Sequence, residues 1–228
     1  SSELQQRVVG LLSGHSGGLS SLQKSLATHY VTELQAVAEQ LNESVRESTN
    51  DVASDDEYMF QVVSLIASLT SSANAIQFVI KTSSTVIPDL LSLLETGTPR
   101  LQRTTMQVLR RLLPATSPTA ASQSLTSVGG HTSGVTPGVV PSLLALLATS
   151  LRLQIRSKGK QTKSATILVR ANDACPTMYA SSKPLSEDIA KGVVDLLHFL
   201  GNYGAGDEWA KQVSSRLTEF VTQFQEFD

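Results

Sequence analysis

The sequence predicts an all-α protein built from stacked helical hairpins. Aromatic residues account for only 5% of the 228 residues while hydrophobic residues reach 40%, so Leu, Val and Ala must supply the core, which is typical of packed helices. Apolar residues also recur every three or four positions over long stretches, which is the period of an amphipathic helix. Finally, the segment Thr85–Pro114 carries start and stop signals for two helices joined by a very short turn.

The helical hairpin at Thr85–Pro114 is the clearest element of the sequence. Its first helix is predicted over Ile87–Glu95 and ends at Gly97, because glycine favours the position just beyond a helix. Thr98 then supplies an N-cap for the second helix, which Pro114 stops. This second helix has an apolar face and a polar face, and the polar face contains Arg103, Gln107, Arg110 and Arg111.

The N-terminal residues 1–53 are predicted to form capping helices. A short helix is expected over Ser2–Ser13. A long amphipathic helix is expected from Leu19 to about Glu47, with an apolar stripe along Leu22, Leu26, Tyr30, Leu34, Val37, Leu41 and Val45. Such a helix would cover the apolar side that the first unit of a repeat array otherwise exposes.

Another helix is predicted over Glu57–Thr70. Ser54 and Glu57 have the spacing of a capping box, and Asp55 and Asp56 add two more acids to the first turn. These acids have two interpretations, a metal or partner site and simple helix capping. The capping spacing accounts for them without any ligand.

The segment Ser54–Pro114 resembles armadillo repeats. In that family a short helix precedes an Ile-Pro-x-Leu-x-x-Leu-Leu helix, and a third helix carries a Val-Gln pattern. Here Ala73–Lys81, Ile87–Glu95 and Pro99–Leu113 look like these three helices, and Leu101-Gln102 stands where Val-Gln is usual. The resemblance implies an armadillo- or HEAT-like α-solenoid, with armadillo-like repeats over residues 54–114.

The same resemblance implies a partner-binding surface. Armadillo repeats line a concave face with polar residues of the third helix, and the matching positions here are Arg103, Gln107 and Arg111. The family often has Trp where Gln107 stands and Asn where Arg111 stands, so the usual asparagine ladder for extended basic peptides is not implied. Arginines at these positions suit acidic or phosphorylated partners instead.

Three stretches carry a wider resemblance that spans most of Met59–Phe227: DLLSLLETGTPRLQRTTMQVLRRLLP, LLALLATSLRLQIRSKGK and DEWAKQVSSRLTEF. They are similar to a segment of giant E3 ubiquitin ligases of the Pam/Highwire (Myc-binding) type, or of the HERC type. In that family the ligase chemistry lies in separate cysteine-bearing domains, and nothing in this sequence matches those domains. The resemblance therefore implies a non-catalytic scaffold or protein-interaction segment that positions substrates or partners.

Composition excludes several classes of function. The net charge of −2 shows no global bias toward nucleic acid or an anionic membrane. The single cysteine, Cys175, excludes an internal disulfide framework and a cysteine-rich zinc site made by this chain alone, which favours an intracellular setting, cytoplasmic or nuclear. No run of apolar residues reaches the roughly 18 that a membrane-spanning helix needs.

The second half of the chain changes in character after Pro114. Residues 115–138 are rich in Ser, Thr, Gly and Pro, which predicts a flexible loop with potential phosphorylation sites and a short helix near Thr119–Leu125. A buried helix is predicted over Val139–Ile155. Two final helices are predicted to form an antiparallel hairpin, one after Ser186 that ends at Gly201, and one that opens at Asp207-Glu208 and carries the apolar residues Trp209, Val213, Leu217, Phe220, Val221 and Phe224.

Two features between these helices leave alternatives open. Arg152–Arg170 contains six basic residues and no acid, which fits either a solvated loop or an arm for phosphate, RNA or an acidic partner, although no aromatic residue interleaves the charges. Ala165–Val169 is β-branched and apolar, so it is expected to form a small β-hairpin with Thr177–Ala180 if it pairs at all.

No pattern of residues indicates catalysis. The four histidines have no partner at metal-ligand spacing, and phosphate-binding glycine loops are absent. Cys175 and His198 could be considered as a nucleophilic thiol and its imidazole base, but no motif provides a third residue to orient the histidine. An enzyme using Cys175 or the carboxylates of Asp207-Glu208 is the competing hypothesis. We expect a chain that is not an enzyme and holds no cofactor or metal.

The prediction is therefore a single helical-repeat domain over residues 1–228, with repeats at 54–114, a loop at 115–138 and C-terminal helices with a basic loop at 139–228. Its expected partner is another protein or neighbouring domains of the same large chain. Neither a membrane nor nucleic acid is the expected partner, although the basic segment 152–170 keeps a phosphate- or RNA-contacting module as the alternative. The oligomeric state and the ligand stay open.

Overall fold

A computed structural model describes residues 21–47, 56–121, 138–147, 185–203 and 208–225 of the chain. Within these residues all regular secondary structure is helical. The chain divides into two compact units, Ser1–Thr116 and Ser117–Asp228, close to the change in composition that follows Pro114. The all-α prediction is confirmed for the described residues, whereas the single domain over residues 1–228 stays a prediction.

The described residues of the first unit form five α-helices. They are α1 (Ser21–Glu47), α2 (Asp56–Leu69), α3 (Ala73–Thr82), α4 (Val86–Thr96) and α5 (Pro99–Leu112), and a 3-10 turn follows at Leu113–Ala115. The helices predicted from periodicity for this part of the chain are confirmed, with ends that differ by a few residues at most. The predicted short helix at Ser2–Ser13 lies outside the described residues.

Helix ends in the first unit follow local chemistry. Ser72 accepts a hydrogen bond from the backbone N–H of Ala75 and so caps α3. Thr98 does the same for α5 by accepting from Leu101. Gly97 separates α4 from α5 with φ −71° and ψ 164°, which any residue can adopt. Its role is steric, because a Cβ there would lie 2.5 Å from the backbone oxygen of Leu93.

Packing in the first unit brings sequentially distant helices together. Helix α1 packs against α2, α3 and α4, and helix α5 packs against α2, α3 and α4. The residues buried between them are almost all aliphatic: Ala27, Val31, Leu34, Val37 and Leu41 of α1; Met59, Val62, Val63, Ile66 and Leu69 of α2; Leu90, Leu93 and Leu94 of α4; Leu101, Val108, Leu109 and Leu112 of α5. Leu, Val, Ile and Ala thus form most of the core, as the composition indicated.

The apolar stripe predicted for α1 is wrong at its N-terminal end. Leu22 is exposed, and the buried positions there are Gln23, Ala27 and Val31. Leu26 and Tyr30 are only partly buried beside Ala27, with Phe78 of α3. The helix is therefore rotated relative to the expected stripe, because the small side chain of Ala27 allows it to approach Leu69 closely.

The second unit is also helical where it is described. A helical turn covers residues 118–121, α6 covers 139–147, and two longer helices follow, α7 (Glu187–Gly201) and α8 (Glu208–Gln225). Helices α7 and α8 pack against each other, as predicted. The buried residues of the unit include Val139, Val140, Leu143, Ile189, Val193, Leu196, Leu200, Trp209 and Val213. Leu217, another apolar residue of α8, is exposed.

Several predictions for the second half fall outside the described residues. They concern most of the loop at 115–138, the basic segment Arg152–Arg170, and the β-hairpin of Ala165–Val169 with Thr177–Ala180. Cys175 and Asp207 also lie outside, as do the side chains of Phe220 and Phe224. No strand occurs in the part of the chain that the structure describes.

Candidate partner-binding site

The polar face of α5 is the candidate site, since it carries Arg103, Gln107 and Arg111. These residues recur every four positions, so they lie on one side of the helix, and all three are exposed. The opposite side is buried through Leu101, Thr105, Val108 and Leu112. The structure thus brings the three predicted residues together, and we call this surface the arginine face.

Helix α5 is strongly basic. Pro99–Leu112 contains four arginines and no acidic residue, and two of the arginines lie in its last turn. Arg100, Arg103, Arg110 and Arg111 are all exposed. Because cations in the last turn interact favourably with the helix dipole, this placement stabilises α5 while it gives the surface a positive charge.

Arg111 also has a structural contact. Its Nη1 donates a hydrogen bond to the backbone oxygen of Ala67, in the last turn of α2. Carbonyl groups in the last turn of a helix accept no hydrogen bond from backbone N–H groups of that helix. A guanidinium that donates to one of them therefore caps the helix C-terminus. Arg111 is therefore exposed to solvent and also links α5 to the end of α2 through this hydrogen bond.

The other ends of α2 and α5 are joined by a second set of contacts. Thr98 Oγ1 donates to Asp56 Oδ1 at 2.7 Å, and Arg100 Nη1 lies 2.8 Å from Glu57 Oε2. The guanidinium carbon of Arg100 also lies 3.4 Å from the centre of the Phe60 ring, a cation–π contact. Hydrogen bonds from Gln61 and Arg100, with the charge of Arg100, lower the pKa of the exposed Glu57 carboxyl.

These contacts fix the relative direction and register of the two helices. The first residues of α2 meet the first residues of α5, and the last turn of α2 meets Arg111 near the end of α5, so the helices run parallel. The hydrogen-bonded partners are separated by 42, 43 and 44 residues. By the same register Ser64 of α2 stands level with Gln107. Of the residues that had two interpretations, Asp56 and Glu57 contact the first residues of α5, whereas Ser54 and Asp55 lie outside the described residues.

Asp89 is a buried acid that the sequence analysis did not single out. It lies in the first turn of α4, only 7% of its surface is exposed, and its Oδ2 has no hydrogen-bond partner among the described residues. Burial, opposed by a hydrogen bond from Thr85 and assisted by the charge of Glu39 on α1, raises its pKa to about 6. The signal in the sequence was an acid within the otherwise apolar run VIPDLLSLL.

The residues considered for catalysis or metal binding form no such centre where they are described. His198 Nε2 lies 3.1 Å from Asn202 Nδ2, and His29 Nδ1 lies 3.9 Å from Glu33, so each has a local helical neighbour. The described residues contain no group of three or more His, Cys, Asp or Glu arranged to hold a metal ion. In the same part of the chain, no helix is both long and apolar enough to span a membrane.

Comparison with known proteins shows a similarity over about half of the chain. The chain is 33% identical over 127 residues to a protein from Danio rerio named E3 ubiquitin-protein ligase MYCBP2. The match covers 51% of this chain and 3% of the relative, so the chain spans only a small part of that protein's length. No known family matches the chain. No solved structure matches it either.

Proposed function

We propose that this chain is a non-catalytic protein-interaction segment of a very large E3 ubiquitin ligase, in which it positions substrates or partners. The observation that carries the proposal is the parallel alignment of α2 with α5 at an offset of 42 to 44 residues. Armadillo and HEAT repeats have a length of about 40–47 residues. The offset therefore equals one repeat.

The helix contacts support two stacked repeats in the first unit. Helices α1 and α2 form one hairpin and α4 and α5 form the next, with the short α3 between them. The hairpins touch through equivalent helices, α1 against α4 and α2 against α5. In this proposal α1 is the second helix of the first repeat, whereas the sequence led us to expect a cap. Each hairpin buries an apolar face that it could not cover alone.

The similarity to MYCBP2 supports the part of the proposal that places this chain within a very large ubiquitin ligase. That relative is named an E3 ubiquitin-protein ligase, and the matched part of this chain corresponds to 3% of it. A repeat segment of this size within a giant chain suits a scaffold role, and it implies an intracellular location. We propose no catalytic residue, and of the residues at the candidate site Arg111 also stabilises helix packing through its bond to the Ala67 carbonyl.

The arginine face is the proposed contact surface for the partner. Helix α5 presents four arginines without an acid of its own, so the surface complements an acidic or phosphorylated segment. Guanidinium groups can form paired hydrogen bonds with carboxylates and phosphates, which gives specificity as well as attraction. Gln107 lies between Arg103 and Arg111 and adds amide donors to the same row.

The experiment that tests this function compares proteins captured from cell lysate by the 228-residue chain and by variants. The test variant is Arg103→Glu with Gln107→Glu, which reverses the charge of the surface. Arg111 is left unchanged, because losing its bond to Ala67 would disturb helix packing. The control is Lys191→Glu, an exposed site in the second unit.

A discrete partner that the control retains and the double variant loses supports the proposal, provided that cross-linking places this partner on α5. Circular dichroism checks that all variants are folded. Identical sets of captured proteins for the three chains contradict a binding role for the arginine face and leave a structural spacer.

A further inference from the structure

Asp89 is a buried acid of α4, the helix that packs against α1, and the charge of Glu39 on α1 acts on it. It lies in the first turn of α4, and 7% of its surface is exposed. One oxygen, Oδ2, has neither solvent contact nor a hydrogen-bond partner among the described residues. A buried carboxylate oxygen without a donor is costly when it carries charge, whereas a protonated carboxyl costs less to bury.

The charged group that acts on Asp89 from across the helix contact is another acid. Glu39 of α1 repels the ionised form of Asp89, and Glu39 itself accepts a hydrogen bond from Gln35 at 3.0 Å. Glu39 is exposed. Two acids on facing helices then oppose each other whenever both are ionised.

The remaining helix beside α4 supplies no compensating cation. Helix α5 also packs on α4, but its four arginines, Arg100, Arg103, Arg110 and Arg111, are exposed, and none of them contributes to the ionisation of Asp89. Thr85, at the N-cap of α4, donates a hydrogen bond to Asp89 that favours the ionised carboxylate. Burial has the larger effect and favours the protonated carboxyl. The other acid of α4, Glu95, lies in its last turn.

We propose that a proton on Asp89 controls how tightly α1 packs against α4. With the proton bound, the carboxyl is neutral and no charge opposes Glu39, so the two helices pack closely. When the proton leaves, a buried charge without a donor at Oδ2 faces Glu39, and α1 loosens from α4. Acidification therefore tightens the first unit, and alkalinisation loosens the contact through which its two helical hairpins meet.

The direction of this effect follows from proton linkage. The folded chain holds the proton on Asp89 at a higher pH than the unfolded chain does, because burial raises the pKa to about 6. Folding therefore takes up protons between this pH and the lower range in which an exposed aspartate titrates, so stability increases as the pH falls through that window. The window includes mildly acidic conditions.

The test uses the full 228-residue chain with ¹³C-labelled aspartate. The carboxyl resonance of Asp89, assigned by its absence in Asp89→Asn, is titrated by nuclear magnetic resonance from pH 4 to pH 8. We expect a midpoint near 6. In Glu39→Gln the midpoint falls, because the repulsion is removed. A midpoint close to about 4, the value for an exposed aspartate, overturns the proposal.

A second readout measures α1 directly. Amide hydrogen exchange of α1, corrected for intrinsic rates, is compared at pH 5 and pH 7.5. The proposal predicts protection several-fold higher at pH 5 in the wild-type chain, and a ratio near one in Asp89→Asn. Should Asp89→Asn fail to fold, Glu39→Gln serves in its place with a reduced ratio, since Glu39 is exposed. Equal ratios in wild type and variant contradict the proposal.

Discussion

Thr98 joins two helices with one hydroxyl group: its Oγ1 donates to Asp56 Oδ1 at 2.7 Å and accepts the backbone N–H of Leu101 at 3.4 Å. The first bond links the start of α5 to the start of α2, and the second caps α5 itself. The two residues are 42 positions apart. One side chain therefore connects local helix formation to the stacking of the proposed repeats.

Replacing Thr98 with alanine removes both contacts. We expect Thr98→Ala to lower the free energy of unfolding of the first unit by about 1–3 kcal/mol, from the lost cap and the lost bond to a carboxylate. Thr98→Ser keeps the hydroxyl and is expected to stay within about 0.5 kcal/mol of wild type. Urea unfolding followed by circular dichroism measures the change. Equal stability of the alanine and serine variants contradicts this role.

Gln102 has a comparable role between α4 and α5. Its Nε2 donates to the backbone oxygen of Leu94 at 2.8 Å, and the residue is only 6% exposed. Gln102→Leu preserves bulk but leaves the Leu94 carbonyl without this donor, so we expect a loss of about 1–3 kcal/mol in urea unfolding. The matched control is Gln107→Leu on the exposed face, with an expected change within about 0.5 kcal/mol. A similar loss in both variants would mean that helix propensity, not the bond, dominates.

Gly97 is required for space and not for backbone conformation. A Cβ at this position would lie 2.5 Å from the Leu93 backbone oxygen and 3.0 Å from Leu101 Cδ2. We expect Gly97→Ala to lower the melting temperature, with a cost of about 1–3 kcal/mol, because the turn between α4 and α5 must open. Gly201→Ala is the control: its Cβ would approach only a side-chain atom of Val213, at 3.2 Å, which can shift. A larger effect at Gly201 than at Gly97 contradicts the prediction.

Asp89 predicts an unusual dependence of stability on pH. Its pKa rises from 3.8 to about 6 in the folded chain, so the ionised form is destabilising above that value. At about 1.4 kcal/mol per pH unit the difference corresponds to about 3 kcal/mol at pH 7.5, an upper bound on what Asp89→Asn can recover. We expect Asp89→Asn to raise stability at pH 7.5 and to lose this advantage as the pH falls toward 4.

Denaturation at several pH values checks this dependence. The control is Asp56→Asn, which also removes an acid but keeps an acceptor for Thr98. It should not share the gain at pH 7.5. If Asp89→Asn is less stable than wild type at both ends of the pH range, the ionised Asp89 carboxylate is stabilising and the prediction is wrong.

The helices of the first unit could be predicted because their signals are local. The 3.6-residue period, the cap at Thr98 and the break at Gly97 act within a few residues of each other. The same locality explains why Arg103, Gln107 and Arg111 could be placed on one exposed face. Leu22 was misassigned because periodicity does not tell which of two adjacent stripes meets a neighbouring helix.

Contacts between distant helices could not be derived from the sequence. The bond of Arg111 to Ala67 joins residues 44 positions apart, and it exists only when α2 and α5 dock in one register. The burial of Asp89 likewise depends on where α1 lies, since an acid in the first turn of a helix is ordinarily a favourable exposed residue. The contacts and burial of side chains that depend on how helices dock therefore cannot be predicted from local sequence patterns.

In the proposed repeat array, α2 and α5 are equivalent, parallel helices of successive repeats. Disulfide trapping tests the parallel arrangement, in a Cys175→Ser background that leaves no other thiol. We expect Asp56→Cys with Thr98→Cys to form an intramolecular disulfide under mild oxidation, because these side chains are in hydrogen-bond contact at the starts of the two helices. Asp56→Cys with Arg110→Cys, at opposite helix ends, should remain reduced. Cross-linking of the second pair and not the first would show that α2 and α5 do not run parallel in this register.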